Sequence, residues 1–99
     1  MTVITLDPDL EPLIPAYIQR RHDELQTLQE ALSQQNLSLL QSIGHNLKGS
    51  GAGYGFLAIS EFGGGLEKAA MEGDLTAARE QVDALQEFMA NLEIRYAAA

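Results

Sequence analysis

Gly44-His45-Asn46-Leu47-Lys48-Gly49-Ser50-Gly51-Ala52-Gly53-Tyr54-Gly55-Phe56 is the stretch whose reading decides the fold, because a helical apolar pattern and the densest chemistry of the chain coincide in it. At about 100° per residue, a helix from Leu37 to about Gly53 gathers Leu37, Leu40, Ile43, Gly44 and Leu47 on one face. His45 then points roughly 140° away from the middle of that face, into solvent. Lys48 and Gly49 follow it at i+3 and i+4, the positions that lie beside a helical residue one turn on. An ammonium and a bare patch of backbone therefore flank the imidazole.

Asn36 supplies an N-cap for this helix. The glycines at 49, 51, 53 and 55 each cost about 1 kcal/mol relative to alanine if helical, so the helix is expected to end near Gly53 to Gly55 with Tyr54 and Phe56 turned into the core. On the N-terminal side, residues 1–8 read as an extended lead-in with a turn at Asp7-Pro8. Pro12 and Pro15 fit only in or near a first helical turn, so a first helix runs from there to about Gln34. Its inward side is Leu13, Tyr17, Leu25, Leu28 and Leu32, thinned by the polar stretch Gln19 to Glu24, where a bend or a short separate helix is open.

On the C-terminal side, Ile59, Phe62, Leu66, Ala69 and Ala70 form the stripe of a third helix over about Leu57 to Glu72. Gly63-Gly64-Gly65 is placed on its outer side, either as a kink or as a point where a partner approaches the helix backbone. Gly73-Asp74 makes a stop and a new N-cap. A fourth helix carries Leu75, Ala78, Val82, Leu85, Met89, Leu92 and Tyr96 at steps of three and four, with Ala97-Ala98-Ala99 frayed beyond it. With no alternating β-branched segment after residue 6, the chain is expected to be all-α, an antiparallel up-down-up-down four-helix bundle forming one domain over residues 1–99.

Ninety-nine residues allow one core but no catalytic domain with its own nucleotide site. The absence of cysteine removes disulfides and thiolate metal sites. The N-terminus lacks a basic region followed by a long apolar run, and no apolar run approaches about 18 residues, so a cytoplasmic protein is expected. A net charge of -8 argues against nucleic acid and anionic membrane surfaces as partners. All 14 acidic residues lie in 7–30 or 61–93, which leaves Lys48 as the only fixed charge in residues 31–60 and the surface around His45 free of negative charge. A neutral imidazole is a usable nucleophile near neutral pH, and a group that accepts a phosphoryl carrying about -1.5 to -2 charge gains from that setting.

Competing motifs are weaker. Gly53-Tyr54-Gly55-Phe56-Leu57-Ala58 fits a loose dinucleotide-binding string but follows no strand, and Lys48-Gly49-Ser50 has the wrong order for a P-loop. His22 has no metal-ligand partner at helical spacing, and Met71 and Met89 read as apolar filling.

The run His45-Asn46-Leu47-Lys48-Gly49-Ser50 with Gly55 ten residues after the histidine resembles the signature of histidine-containing phosphotransfer (HPt) domains. Tyr54-Gly55-Phe56, Leu66-Glu67 and Gly73-Asp74 continue that resemblance in spacing, and Gly51 stands where many relatives have a small hydroxyl residue. The resemblance implies a four-helix bundle whose exposed histidine exchanges phosphate with aspartates of response-regulator receiver domains, or takes it from a hybrid or histidine sensor kinase. It implies His45 as phosphoacceptor, Lys48 as phosphoryl-stabilising cation and Gly49 as the small residue that permits docking. The protein would then be a monomeric carrier with no cofactor of its own, Mg²⁺ belonging to the partner receiver. Helical phase assigns docking to Gln41, Gly49 and Ala52 with Gly63 and Gly64. The alternatives are a helical adaptor that binds a receiver or kinase without being phosphorylated, and a module of a longer sensor kinase.

Overall fold

Capping side chains divide the chain. The computed structural model describes residues 1–98, and their elements are β1 (Thr2–Leu6), a 3-10 segment (Pro8–Leu13), α1 (Ile14–Ser33), α2 (Leu37–Ser50), a second 3-10 segment (Ala52–Tyr54), α3 (Leu57–Met71), α4 (Leu75–Ala90) and β2 (Leu92–Tyr96). Asn36 accepts from the Leu39 amide at 3.1 Å and Asp74 from the Ala77 amide at 2.9 Å, so α2 and α4 begin on side-chain caps. At the end of α3, Gly73 takes a φ of 70° and the Asp74 amide reaches back to the Ala69 carbonyl at 2.9 Å. α1 closes in the same way with a non-glycine: Gln35 sits at φ 54° and the Asn36 amide donates to the Ala31 carbonyl at 2.8 Å.

The fold is all-α in class, with four α-helices among the described residues, and its core is drawn from all four. Leu28, Leu40, Phe56, Ile59, Ala78 and Val82 are completely buried. The expected face of α2 is inward at Leu40, Ile43, Gly44 and Leu47, with Leu37 half-buried. α1 differs at its start: Ile14 is the buried residue, whereas Leu13 belongs to the preceding 3-10 segment and is exposed. No break occurs at Gln19 to Glu24; α1 runs through that stretch and buries Arg21 in it. α2 stops at Ser50, earlier than expected. Glycine-rich backbone tightens there into the 3-10 turn and then reverses at Gly55, whose φ is 91°.

Two further expectations are overturned. The glycines of α3 do not lie outside: a Cβ on Gly63 would stand 2.5 Å from the Lys48 amide nitrogen, and one on Gly44 would stand 2.7 Å from the Glu67 amide nitrogen. α2 and α3 thus meet backbone to backbone along a seam of Gly44 and Gly63, and this contact, not a kink, is what Gly63 serves. Gly65 faces α4, where a Cβ would stand 2.7 Å from the Gln81 side chain. The second correction concerns the last helix, which ends at Ala90, where Asn91 caps it by donating from its side chain to the Glu87 carbonyl at 2.9 Å. Leu92–Tyr96 is instead a strand paired in parallel with β1, in the register Thr2↔Leu92 to Leu6↔Tyr96. The lead-in is therefore not merely extended. The pairing puts Leu6, Ile4, Ile94 and Tyr96 against the core, and the Ala97 amide extends it by donating to the Leu6 carbonyl at 2.8 Å. Ala97 is thus held and not frayed; Ala99 lies outside the described residues.

Candidate functional site

α2 and α3 build the site together. His45 projects from the outer face of α2 with its side chain 71% exposed. Directly behind it, the glycine seam lets α3 approach close enough for Glu67 to reach across, and its Oε2 lies 2.7 Å from His45 Nδ1. The other carboxylate oxygen, Oε1, lies 3.5 Å from Lys48 Nζ, so one acid bridges the imidazole and the ammonium. Glu67 is mostly buried, with 16% of its side chain exposed, which restricts its orientation. A carboxylate can only accept, so the proton of a neutral His45 sits on Nδ1, and Nε2 carries the lone pair. That tautomer puts the nucleophilic nitrogen on the side of the ring away from Glu67.

The surface around His45 is therefore not free of negative charge. Residues 31–60 supply no acid, but the bundle brings Glu67 from α3 to the imidazole and lines the groove on the α1 side with Glu24. Glu67 is the residue of the candidate site that pattern reasoning missed, since it entered only as part of a family spacing. A signal for it existed: Glu67 follows Gly63 by four residues and so shares the helix face that touches α2.

The other expected site residues separate into two groups. Gln41, Gly49 and Ala52 are exposed, and nothing lies within 4 Å of a Cβ built on Gly49. Gln41 shares a shallow depression with Ser38, Ser42, His45, Asn46 and Glu67. Gly64 is half-buried, with the aliphatic carbons of Lys48 3.6 Å from where its Cβ would be. Gly63 is buried in the seam and offers no outward surface, so its assignment to docking is corrected.

On the opposite flank of α2, a second groove is walled by α1. Tyr17 stacks on Tyr54 at 4.2 Å and on Phe56 at 5.8 Å between ring centroids, and its hydroxyl lies 3.3 Å from Ser50 Oγ. The Arg21 guanidinium lies over the Tyr17 ring, its central carbon 4.5 Å from the ring centroid, and pairs with Glu24 through Nε. Burial pushes the Glu24 carboxyl above its ordinary value, and the neighbouring Arg21 and Arg20 charges oppose that rise. Among the described residues, no group of three or more His, Asp or Glu side chains is placed to hold a metal ion, and no helix is long and apolar enough to cross a membrane.

The site is thus an exposed histidine on a helical bundle, contacted by a carboxylate and flanked by a lysine and a glycine. The family model described as Hpt domain matches residues 13–94, and the chain belongs to that family. Hpt domains are phosphocarriers of two-component phosphorelays, where they interact with receiver domains and kinases, and are not stand-alone enzymes. No curated protein and no solved structure matches the chain.

Proposed function

We propose that His45 is the phosphoacceptor of this Hpt domain, taking a phosphoryl group from a receiver aspartate or a kinase pathway and passing it to a response regulator. In the acceptor step the Nε2 lone pair attacks phosphorus, the N–P bond forms, and the P–O bond to the aspartyl carboxylate breaks, returning that carboxylate as leaving group. The ring gains positive charge as it does so, with the proton retained on Nδ1. Glu67 accepts a hydrogen bond from that proton and offsets the charge, while Lys48 exchanges its contact with Glu67 for one with the phosphoryl oxygens. Mg²⁺ and in-line positioning are assigned to the receiver, so this chain contributes the nucleophile, its orientation and a docking face.

The observation that carries this reading is the 2.7 Å contact between Glu67 and Nδ1, which leaves Nε2 of an exposed imidazole as the free nucleophile. Docking is assigned to the exposed face formed by Gln41, Gly49 and Ala52 with Gly64 at its edge. The reading includes a monomeric, one-domain protein acting in the cytoplasm, with successive helices antiparallel. For α2 and α3 that orientation is supported by the seam, where Gly51 approaches Ser60 while Gly44 approaches Glu67.

The test is transfer from phosphorylated receiver domains to the protein and to its His45→Gln variant, followed as acid-labile, alkali-stable phosphate on the small chain. Label should appear only with His45 and enter slowly in Lys48→Glu. Retained receiver binding without any label would assign the protein to the adaptor class instead.

A further inference from the structure

The groove between α1 and α2 has a charge arrangement that the phosphoryl chemistry at His45 does not use. Arg21 is buried, with 6% of its surface exposed, in a chain whose net charge is -8. Burying a guanidinium is costly unless it is paired and hydrogen-bonded. Glu24 is the only acidic side chain within ion-pair distance of it among the described residues, and the Tyr17 ring covers one face. A guanidinium carries five N–H donors, and one carboxylate takes at most two of them. The opposite wall of the same groove is formed by His45, Asn46 and Gly49, so a body seated on His45 from this side meets the exposed Arg20 at the rim and, behind it, the small part of Arg21 that the groove leaves accessible.

The distribution of cations points the same way. The chain has six lysines and arginines, and three of them lie near His45: Arg20 and Arg21 line the groove it shares, and Lys48 pairs with Glu67 on its other flank. Arg20 is exposed at the rim, where no packing role requires it. Within the groove, two arginines against Glu24 leave one surplus positive charge, which balances one carboxylate better than it balances a dianionic phosphoryl group held beside Glu24. The planar fork of arginine matches carboxylate geometry, and the stack of Tyr17 on Tyr54 holds the wall in place before anything docks.

The geometry points to Arg20 and Arg21 as a partner-selecting contact in the α1–α2 groove, where they hold an acidic side chain of the docking receiver domain while His45 faces its phosphorylated aspartate. This rests on the relay reading and names what that reading leaves open, the feature by which a receiver is chosen. The arginines are positioning residues: they set where the partner sits and leave the chemical step to His45, Glu67 and Lys48.

The experiment separates docking from transfer. Receiver domains from the same organism, charged with beryllofluoride as a phosphoryl mimic, are titrated into the His45→Gln protein with and without Arg20→Ala, Arg21→Lys or Arg21→Gln, at low and high salt. Transfer kinetics are measured in parallel on proteins that retain His45. Arg20→Ala should weaken binding about three- to tenfold and flatten its salt dependence, with a matching rise in KM and kcat within about twofold. Arg21→Gln should weaken it further, and Arg21→Lys should restore part of the loss; if Arg21→Gln unfolds, Arg20→Ala and Arg21→Lys still decide. Unchanged affinity in both of those variants overturns the proposal, as does a fall in kcat at constant affinity, which would put the arginines on the phosphoryl group. Arginine-dependent binding without label on His45 would sink the relay reading and leave this contact standing, whereas labelling with arginine-independent binding would do the reverse.

Discussion

The two flanks of α2 are built in opposite ways. Toward α3 the contact is backbone on backbone, with Gly44 and Gly63 leaving no room for a methyl group, and it delivers Glu67 to His45. Toward α1 the contact is made by side chains, a stack of aromatic rings ending on Arg21 and Glu24, and it leaves an open groove. The close seam fixes one atom relative to another, which orienting a nucleophile requires. The side-chain flank leaves a surface that another protein can enter. A single helix thus carries a close-packed side that sets a carboxylate against the imidazole and a roomier side with an open groove, and the proposed function and the proposed partner contact divide between them.

The largest effect should come from removing what the seam delivers. Glu67→Ala should slow phosphoryl transfer by up to about 100-fold while the protein stays folded, because the imidazole loses the group that fixes its tautomer and orientation. Glu67→Gln, still able to accept from Nδ1 but uncharged, should fall between the two; rapid-quench measurement of the label on His45 decides, and an unaltered rate would mean that the contact is incidental.

The seam itself is probed next. Gly63→Ala should destabilise by about 1–3 kcal/mol, because the new methyl meets the Lys48 amide and Leu47 Cβ. Gly64→Ala, whose methyl would meet only the flexible Lys48 chain at 3.6 Å, should instead stabilise by up to about 1 kcal/mol through helix propensity. Urea midpoints of adjacent variants on one helix make this comparison directly, and similar shifts in both would dissolve the distinction between seam and edge.

The smallest effect belongs to the α1 flank. Burial raises the Glu24 carboxyl above its ordinary 4.5, so the folded state holds that proton more tightly than the unfolded chain does. Its contribution to stability is therefore fully present below pH 4.5 and is lost as pH rises through the raised value. Denaturation of the wild type and Glu24→Gln between about pH 4 and 7 should show the wild type losing stability relative to the variant as pH rises. A difference that stays flat with pH would show that the ionised form is fully compensated by Arg21 and Arg20.

His45 and Lys48 were legible because helical phase is local: residues within one turn decide which face is buried. Glu67 was not, since its relation to His45 spans 22 residues and exists only once two helices pack. The glycines of α3 were misplaced for a related reason. A glycine has no hydropathy to declare its face, and its intrinsic helix penalty hides the packing it permits. Leu92-Glu93-Ile94-Arg95-Tyr96 carries two periods at once, since Leu92 and Tyr96 continue the spacing of α4 while the whole segment alternates apolar and charged. The tie is broken by Asn91, which ends α4, and by β1, a partner at the far end of the sequence.

That last pairing has a kinetic consequence. β1 precedes all four helices and β2 follows them, so their hydrogen bonds cannot form until both ends of the chain have been brought together. Helices assemble from neighbouring residues, whereas this ribbon requires closure of nearly the whole chain, which makes it a late event in folding. Until then Thr2–Leu6, a strand without a charged residue, has nothing to pair with in its own molecule and is open to the strands of others. The ribbon that latches the finished bundle is thus also the segment through which an unfinished one is most exposed to misassembly.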